Sequence, residues 1–220
     1  MTDHTHGHDA GDAHGHDHFH TAAELAWALS PPPWFADWAA GLRADLEAAG
    51  PEEMEKVLVG RTVELLTDHD IVGTGVPRPG RHSDTTWWLY YDQQLHVIVG
   101  RMNQGEVIQA HNHGNWNVTG VLRGALKYIS YERVDDGSTL YHADLRIRQE
   151  PILGPGEAIL CPPPPDDIHE IVCLEDDTVT VLVAPPFADV REYYLPDKKV
   201  YLRRGGHASA QGVPAPKGGG

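Results

Sequence analysis

The chain has 220 residues, 40% of them apolar, and a formal charge of −15; that length suits one domain with a full hydrophobic core. So acidic a chain repels nucleic acid, whose binders carry a basic footprint. No apolar run approaches the roughly 20 residues of a membrane span, so the expectation is a soluble monomer acting on a small molecule.

Residues 1–20 place seven histidines (His4, His6, His8, His14, His16, His18 and His20) among Asp, Gly and Ala. Such a segment cannot bury an apolar face and reads as a disordered tail. Its imidazoles suit loose chelation of Ni²⁺, Zn²⁺ or Cu²⁺. It lacks the apolar core of a signal peptide, which makes the cytoplasm the expected address. Residues 21–84 read as a helical segment packed on the β domain downstream of it. Thr21 and Glu24 have the spacing of a capping box, and Pro31–Pro33 stop that first helix. Phe35, Trp38, Leu42 and Leu46 then form one helical stripe. After Gly50 and Pro51, the residues Met54, Val57, Leu58, Val63, Leu65 and Leu66 supply the next apolar face.

From Thr85 the pattern turns to β. Strands are expected at 87–91, 95–102, 106–110, 117–122, 125–133, 139–148, 157–161, 168–174 and 178–184, separated by turn signals such as Asp135-Asp-Gly137 and Gly154-Pro-Gly156. Many short strands after a helical leader argue for an antiparallel barrel or jelly roll over 85–204. Residues 205–220 are rich in Gly, Pro and Ala and read as a disordered tail. Cys161 and Cys173 make no disulfide framework, and no C-x-x-C pair offers a cysteine zinc site.

The chemistry concentrates in Gln109-Ala-His-Asn-His-Gly-Asn-Trp-Asn117 and in Asp167-Ile-His169-Glu170. His111 and His113 are two apart, so on a strand both imidazoles leave the same face. His169, from a distant strand, closes a three-histidine site with open coordination positions, which suits Fe(II) chemistry with O₂ as cosubstrate.

The order His111-Asn-His113, Asn117, Gly124, then Pro155-Gly156 and His169, resembles the two motifs of the cupin superfamily across about residues 85–195. That resemblance implies a mainly β double-stranded β-helix. The usual fourth ligand of the family, a glutamate, is replaced by Asn117. The run from His111 to Gly124, with Trp116 inside it, and the upstream Trp88-Leu-Tyr-Tyr-Asp92 are similar to the thiol dioxygenases, the family of cysteine dioxygenase and 3-mercaptopropionate dioxygenase. The resemblance implies Fe(II) on His111, His113 and His169, and a small cysteine-like thiol oxidised at sulfur by O₂. Arg191 is then the candidate for the substrate carboxylate. Trp116 is the candidate wall of the substrate site, and Asn117 a hydrogen-bonding group in catalysis. The alternative for Arg191 is a surface pair with Asp189 or Glu192.

The chain departs from that family in its relay. Thr180, Leu182 and Ala184 stand where a Ser, a His and a Tyr are expected. Cys173, Tyr90, Tyr128 and Tyr131 are candidates to refill the pocket, while His96 and His142 read as structural. The missing relay leaves two alternatives open. One is a specialised cysteine-oxidising enzyme of a secondary-metabolite pathway, giving a rearranged product such as a sulfonamide; the histidine-rich tail suggests nickel there. The other is a non-catalytic module that binds metal and ligand.

Overall fold

The computed structural model describes residues 32–68, 71–72, 74–77, 85–92, 94–188 and 190–205. The expected tails at 1–20 and 205–220, and the helix capped by Thr21, lie outside them, except for the backbone of Gly205.

Helix α1 spans Pro33–Ala48, with proline in its first turn where no amide partner is lost. It buries Phe35, Trp38, Ala39 and Leu42, one stripe at helical spacing. Helix α2 spans Met54–Asp68. It buries Leu58, Thr62, Leu65 and Leu66, and the Thr62 hydroxyl donates to the Leu58 carbonyl at 2.8 Å. The indole N–H of Trp38 donates to the Arg61 carbonyl and ties the helices together.

Two antiparallel sheets come after the helices. The first has the order β1 (Val76–Pro77), β2 (Thr86–Tyr91), β3 (His96–Met102), β11 (Thr178–Ala184), β5 (Asn117–Arg123), β9 (Ala158–Cys161). The second runs β13 (Val200–Gly205), β12 (Val190–Leu195), β4 (Val107–His111), β10 (Ile168–Cys173), β6 (Leu126–Arg133), β7 (Leu145–Gln149), with β8 (Ile152–Leu153) also on β6. The architecture is therefore the mainly β jelly roll with helices at its N-terminal end that the strand pattern predicts.

Alternation along each strand builds separate apolar layers. Val179, Val181 and Val183 of β11 and Val97 and Val99 of β3 pack under the helices. At Gly120 of β5 a Cβ would lie 2.8 Å from Leu66 Cδ1, so the missing side chain is what lets α2 sit on the sheet. Met102, Val121, Cys161, Leu126, Tyr128, Ile171 and Cys173 come from both sheets and fill the space between them. Ala110, Ile129, Tyr131, Ile168, Tyr194 and Tyr201 form a third cluster on the outer face of the second sheet.

Two expectations change. The strand expected over 139–148 forms only from Leu145 to Gln149. Asp135 accepts the amides of Gly137 and Asp144 and the Arg133 guanidinium, so residues 135–144 fold into a tied loop. Beyond Ala184 the chain adds β12 and β13, which the apolar pattern does not reveal.

Candidate metal centre

β4 ends at His111, so the turn beyond it, and not strand alternation, places His113. Asp167, only 3% exposed, anchors that turn by accepting the Gly114 amide at 2.9 Å. Gly114 has φ +71°, and a Cβ there would come within 2.7 Å of Ala188 Cβ, so glycine is required on both counts. His169 lies in register opposite His111 on β10. A bulge in that ladder, next to His169, leaves the Gln109 carbonyl to accept the His111 ring Nδ1–H at 2.7 Å.

The three imidazoles converge. Ring centroids are 4.7 Å apart for His111–His113, 4.6 Å for His111–His169 and 5.1 Å for His113–His169. One ligating nitrogen from each lies within 4.8 Å of the others. All three rings are buried, which disfavours their charged forms. Burial pushes His111 down to about 4, and pushes His113 and His169 well below the usual imidazole range. The Arg191 charge adds to this at His111 and His113.

These residues fit a divalent metal. A carbonyl only accepts, so Gln109 fixes the proton of His111 on Nδ1 and leaves the Nε2 lone pair facing inward. His169 Nδ1 lies 3.2 Å from the Cys161 thiol, a group that can donate or accept, so this contact orients the ring and does not by itself set its proton. His111 Nε2 and His113 Nε2 are 2.7 Å apart, two inward-facing nitrogens of neutral rings on one point. No carboxylate belongs to the group.

Asn117 is fully buried, and its amide makes no hydrogen bond among the described residues. It shares the interior-facing side of β5 with Val121 and sits opposite Cys161 in the β5–β9 ladder. Burial pushes the Cys161 thiol up to about 12, while the nearby Tyr128 and Asn117 pull the other way. Neither contact has good hydrogen-bond geometry, since the Tyr128 hydroxyl also lacks a partner. The Tyr128 ring stacks on His169 at 5.3 Å. Cys161 is thus the cysteine next to a ligand, which sequence reasoning alone misses. Cys173 does face inward beside Tyr128, but its thiol donates to the Glu175 carbonyl.

The other candidates separate. Arg191 lies over Phe187 at 5.2 Å and Tyr193 at 5.7 Å, and Phe187 meets His113 edge to face at 4.8 Å. Arg191 is not paired with Glu192, which instead binds Arg203 and the Tyr194 hydroxyl; Asp189 lies outside the described residues. Trp116 is not brought to the histidines and packs with the layer under the helices. Tyr90 bonds Asp92 on that same side, and Tyr131 faces the outer cluster of the second sheet. His96 sits among Trp88, Tyr91 and Phe187. His142 belongs to the tied loop, bridged to Val200. Thr180, Leu182 and Ala184 alternate with the valines under the helices and so face the interior. None of the three is titratable, while His96 of β3 stands opposite Ala184 on the same face.

No family model and no curated protein matches the sequence significantly. Similar solved structures include KdgF from Halomonas sp. (20% identity, 47% of this chain and 81% of that one, TM-score 0.36). A cupin superfamily protein from Desulfitobacterium hafniense gives 13% identity over 46% of this chain and 75% of that one, TM-score 0.34. Oxalate decarboxylase from Bacillus subtilis gives 19% identity over 43% of this chain and 22% of that one, TM-score 0.33. Likenesses this distant say nothing about metal or reaction.

Proposed function

We propose that the chain is an Fe(II)-dependent dioxygenase that oxidises the sulfur of a small, anionic thiol. The observation that carries this reading is the donor set: three buried neutral imidazoles with no carboxylate among them. Such a set leaves a dication uncompensated, which favours an anionic thiolate in its place. A bound ferrous ion would supply Lewis acidity and the redox couple through which O₂ reacts with sulfur. The balance is R–SH plus O₂ giving R–SO₂H, with sulfur losing the four electrons that O₂ gains.

The chain's own residues do the rest. Gln109 and Cys161 hold the ring orientation of His111 and His169. Arg191, which lies over Phe187 and Tyr193, would bind the substrate's carboxylate. Phe187 against His113, with Leu182 and Ala184 on the inner face of β11, would give the centre apolar surroundings. The Asn117 amide offers a buried donor and acceptor to the reacting groups. The test mixes anaerobic Fe²⁺-loaded protein with a panel of small thiols and then admits O₂. Oxygen uptake with a sulfinic acid product is expected; no uptake with any thiol refutes the reading, and tight thiol binding without turnover would favour the non-catalytic module.

A second reading is favoured by the interior-facing Thr180, Leu182 and Ala184. With no proton relay there, the same site would direct cysteine oxidation to a rearranged product such as a sulfonamide, with nickel as the alternative metal. Mass spectrometry of products from Fe²⁺- and Ni²⁺-loaded protein in parallel separates the two readings.

A further inference from the structure

Every arginine among the described residues pairs with a carboxylate except Arg191 and Arg204. These two are neighbours, directly opposite in the β12–β13 ladder. Antiparallel partners point to the same side of the sheet, with Cβ atoms about 5 Å apart. Both lie over one ring, with Arg191 Cζ 5.7 Å and Arg204 Cζ 5.2 Å from the Tyr193 centroid. Tyr193 in turn stacks on His111 at 5.8 Å, with 18° between the rings. In both arginines Nε is buried with no partner among the described residues.

Like charges opposed on adjacent strands are destabilising, and a buried donor without an acceptor costs more still. The neighbouring pair on the same two strands shows the ordinary solution: Glu192 faces Arg203 across the ladder and binds it at 2.9 Å. Among the described residues no carboxylate gives Arg191 and Arg204 that solution. One carboxylate would neutralise only one of two guanidiniums, and the histidine centre beside them brings no negative charge.

We propose that Arg191 and Arg204 together form a dianion site at the rim of the metal pocket, and that the substrate carries two acidic groups. This rests on the reading of Arg191 as the substrate anchor and adds Arg204 as a specificity-determining residue. Arg191, nearer the histidines, takes the acidic group common to all ligands. Arg204, on the edge strand, takes the second and selects dianions over monoanions.

The test uses the full chain loaded with Fe²⁺ under nitrogen, with calorimetric titration of succinate and of propionate, neither of which is a thiol. Succinate is expected to bind about tenfold or more tightly than propionate, with the difference shrinking as salt rises. Arg204→Gln is expected to bring succinate down to the propionate level and leave propionate unchanged, while Arg191→Gln weakens both. Thermal melting gives a second readout: succinate should raise the melting temperature of the wild type more than that of Arg204→Gln. Equal affinity for the two acids in the wild type, or a preference for succinate that survives Arg204→Gln, overturns the proposal. If the preference depends on Arg204 and yet no thiol drives oxygen uptake, the dianion site stands and the proposed reaction falls.

Discussion

The two faces of β12 solve the same electrostatic problem in opposite ways. On the outer face Glu192 binds Arg203 and the Tyr194 hydroxyl, and Tyr194 packs with Tyr201 and Ala110. On the inner face Arg191 and Tyr193 stand beside the histidines, and the guanidinium has no carboxylate among the described residues. The contrast extends across the second sheet. Outside, Asp135 satisfies Arg133 and two backbone amides. Inside, the Tyr128 hydroxyl, the Ser130 hydroxyl and His113 Nδ1 are buried without partners among the described residues. Polar groups that stabilise a fold are paired within it, whereas groups kept for a ligand are left open at a cost in stability.

The largest expected break of this comparison is His111→Ala. It removes an inward lone pair from the centre, and both bound metal, measured by elemental analysis, and oxygen uptake should fall to background. Asp167→Asn is next: an uncharged amide oxygen holds the Gly114 amide less strongly than a carboxylate does. Metal affinity should drop about 10- to 100-fold, read by competition with a chelator, with the fold retained by circular dichroism. Arg191→Gln should raise KM for an acidic thiol about tenfold or more while changing kcat less; an unchanged KM would place the carboxylate elsewhere.

The outer face should answer in stability and not in activity. Asp135→Ala should cost about 2 kcal/mol by denaturant unfolding and leave metal binding and KM unchanged. The Arg133 guanidinium holds the Asp135 carboxyl well below the usual carboxylate range. A folded pKa depressed in this way gives stability that is fully present above the ordinary carboxylate pKa and is lost as pH falls toward the folded value. Wild-type stability should therefore decline in acid more steeply than that of Asp135→Ala; parallel curves would show that the ion pair contributes nothing. The smallest effect is expected at Trp116→Phe. Because Trp116 packs under the helices, the change should lower the melting temperature slightly and leave KM as it is.

Much of this molecule is legible in the chain because its signals are local. The alternation in Thr178–Ala184 is strict enough to mark a strand, and the stripe Phe35, Trp38, Leu42 is strict enough to mark a helix. The pair His111 and His113 is close in sequence, so their convergence needs only one turn. β12 and β13 escape the pattern because Val-Arg-Glu-Tyr-Tyr-Leu and Val-Tyr-Leu-Arg-Arg-Gly carry charge on both faces, which blurs the period of two. The place of Trp116 beside the histidines in sequence suggests a pocket wall, yet the turn before β5 carries it into the layer under the helices.

The residue pattern alone implies a mainly β barrel with a helical leader and three histidines that could hold a metal without a carboxylate. What surrounds those histidines is visible only in the folded chain. Packing of one sheet on the other brings Cys161 of β9 to His169 of β10, while strand register sets Arg204 opposite Arg191 and turns Thr180, Leu182 and Ala184 inward. Those relations depend on which strands pair, in which register, and on how the two sheets stack. No local repeat encodes them, since a slip of one residue would turn each side chain to the other face.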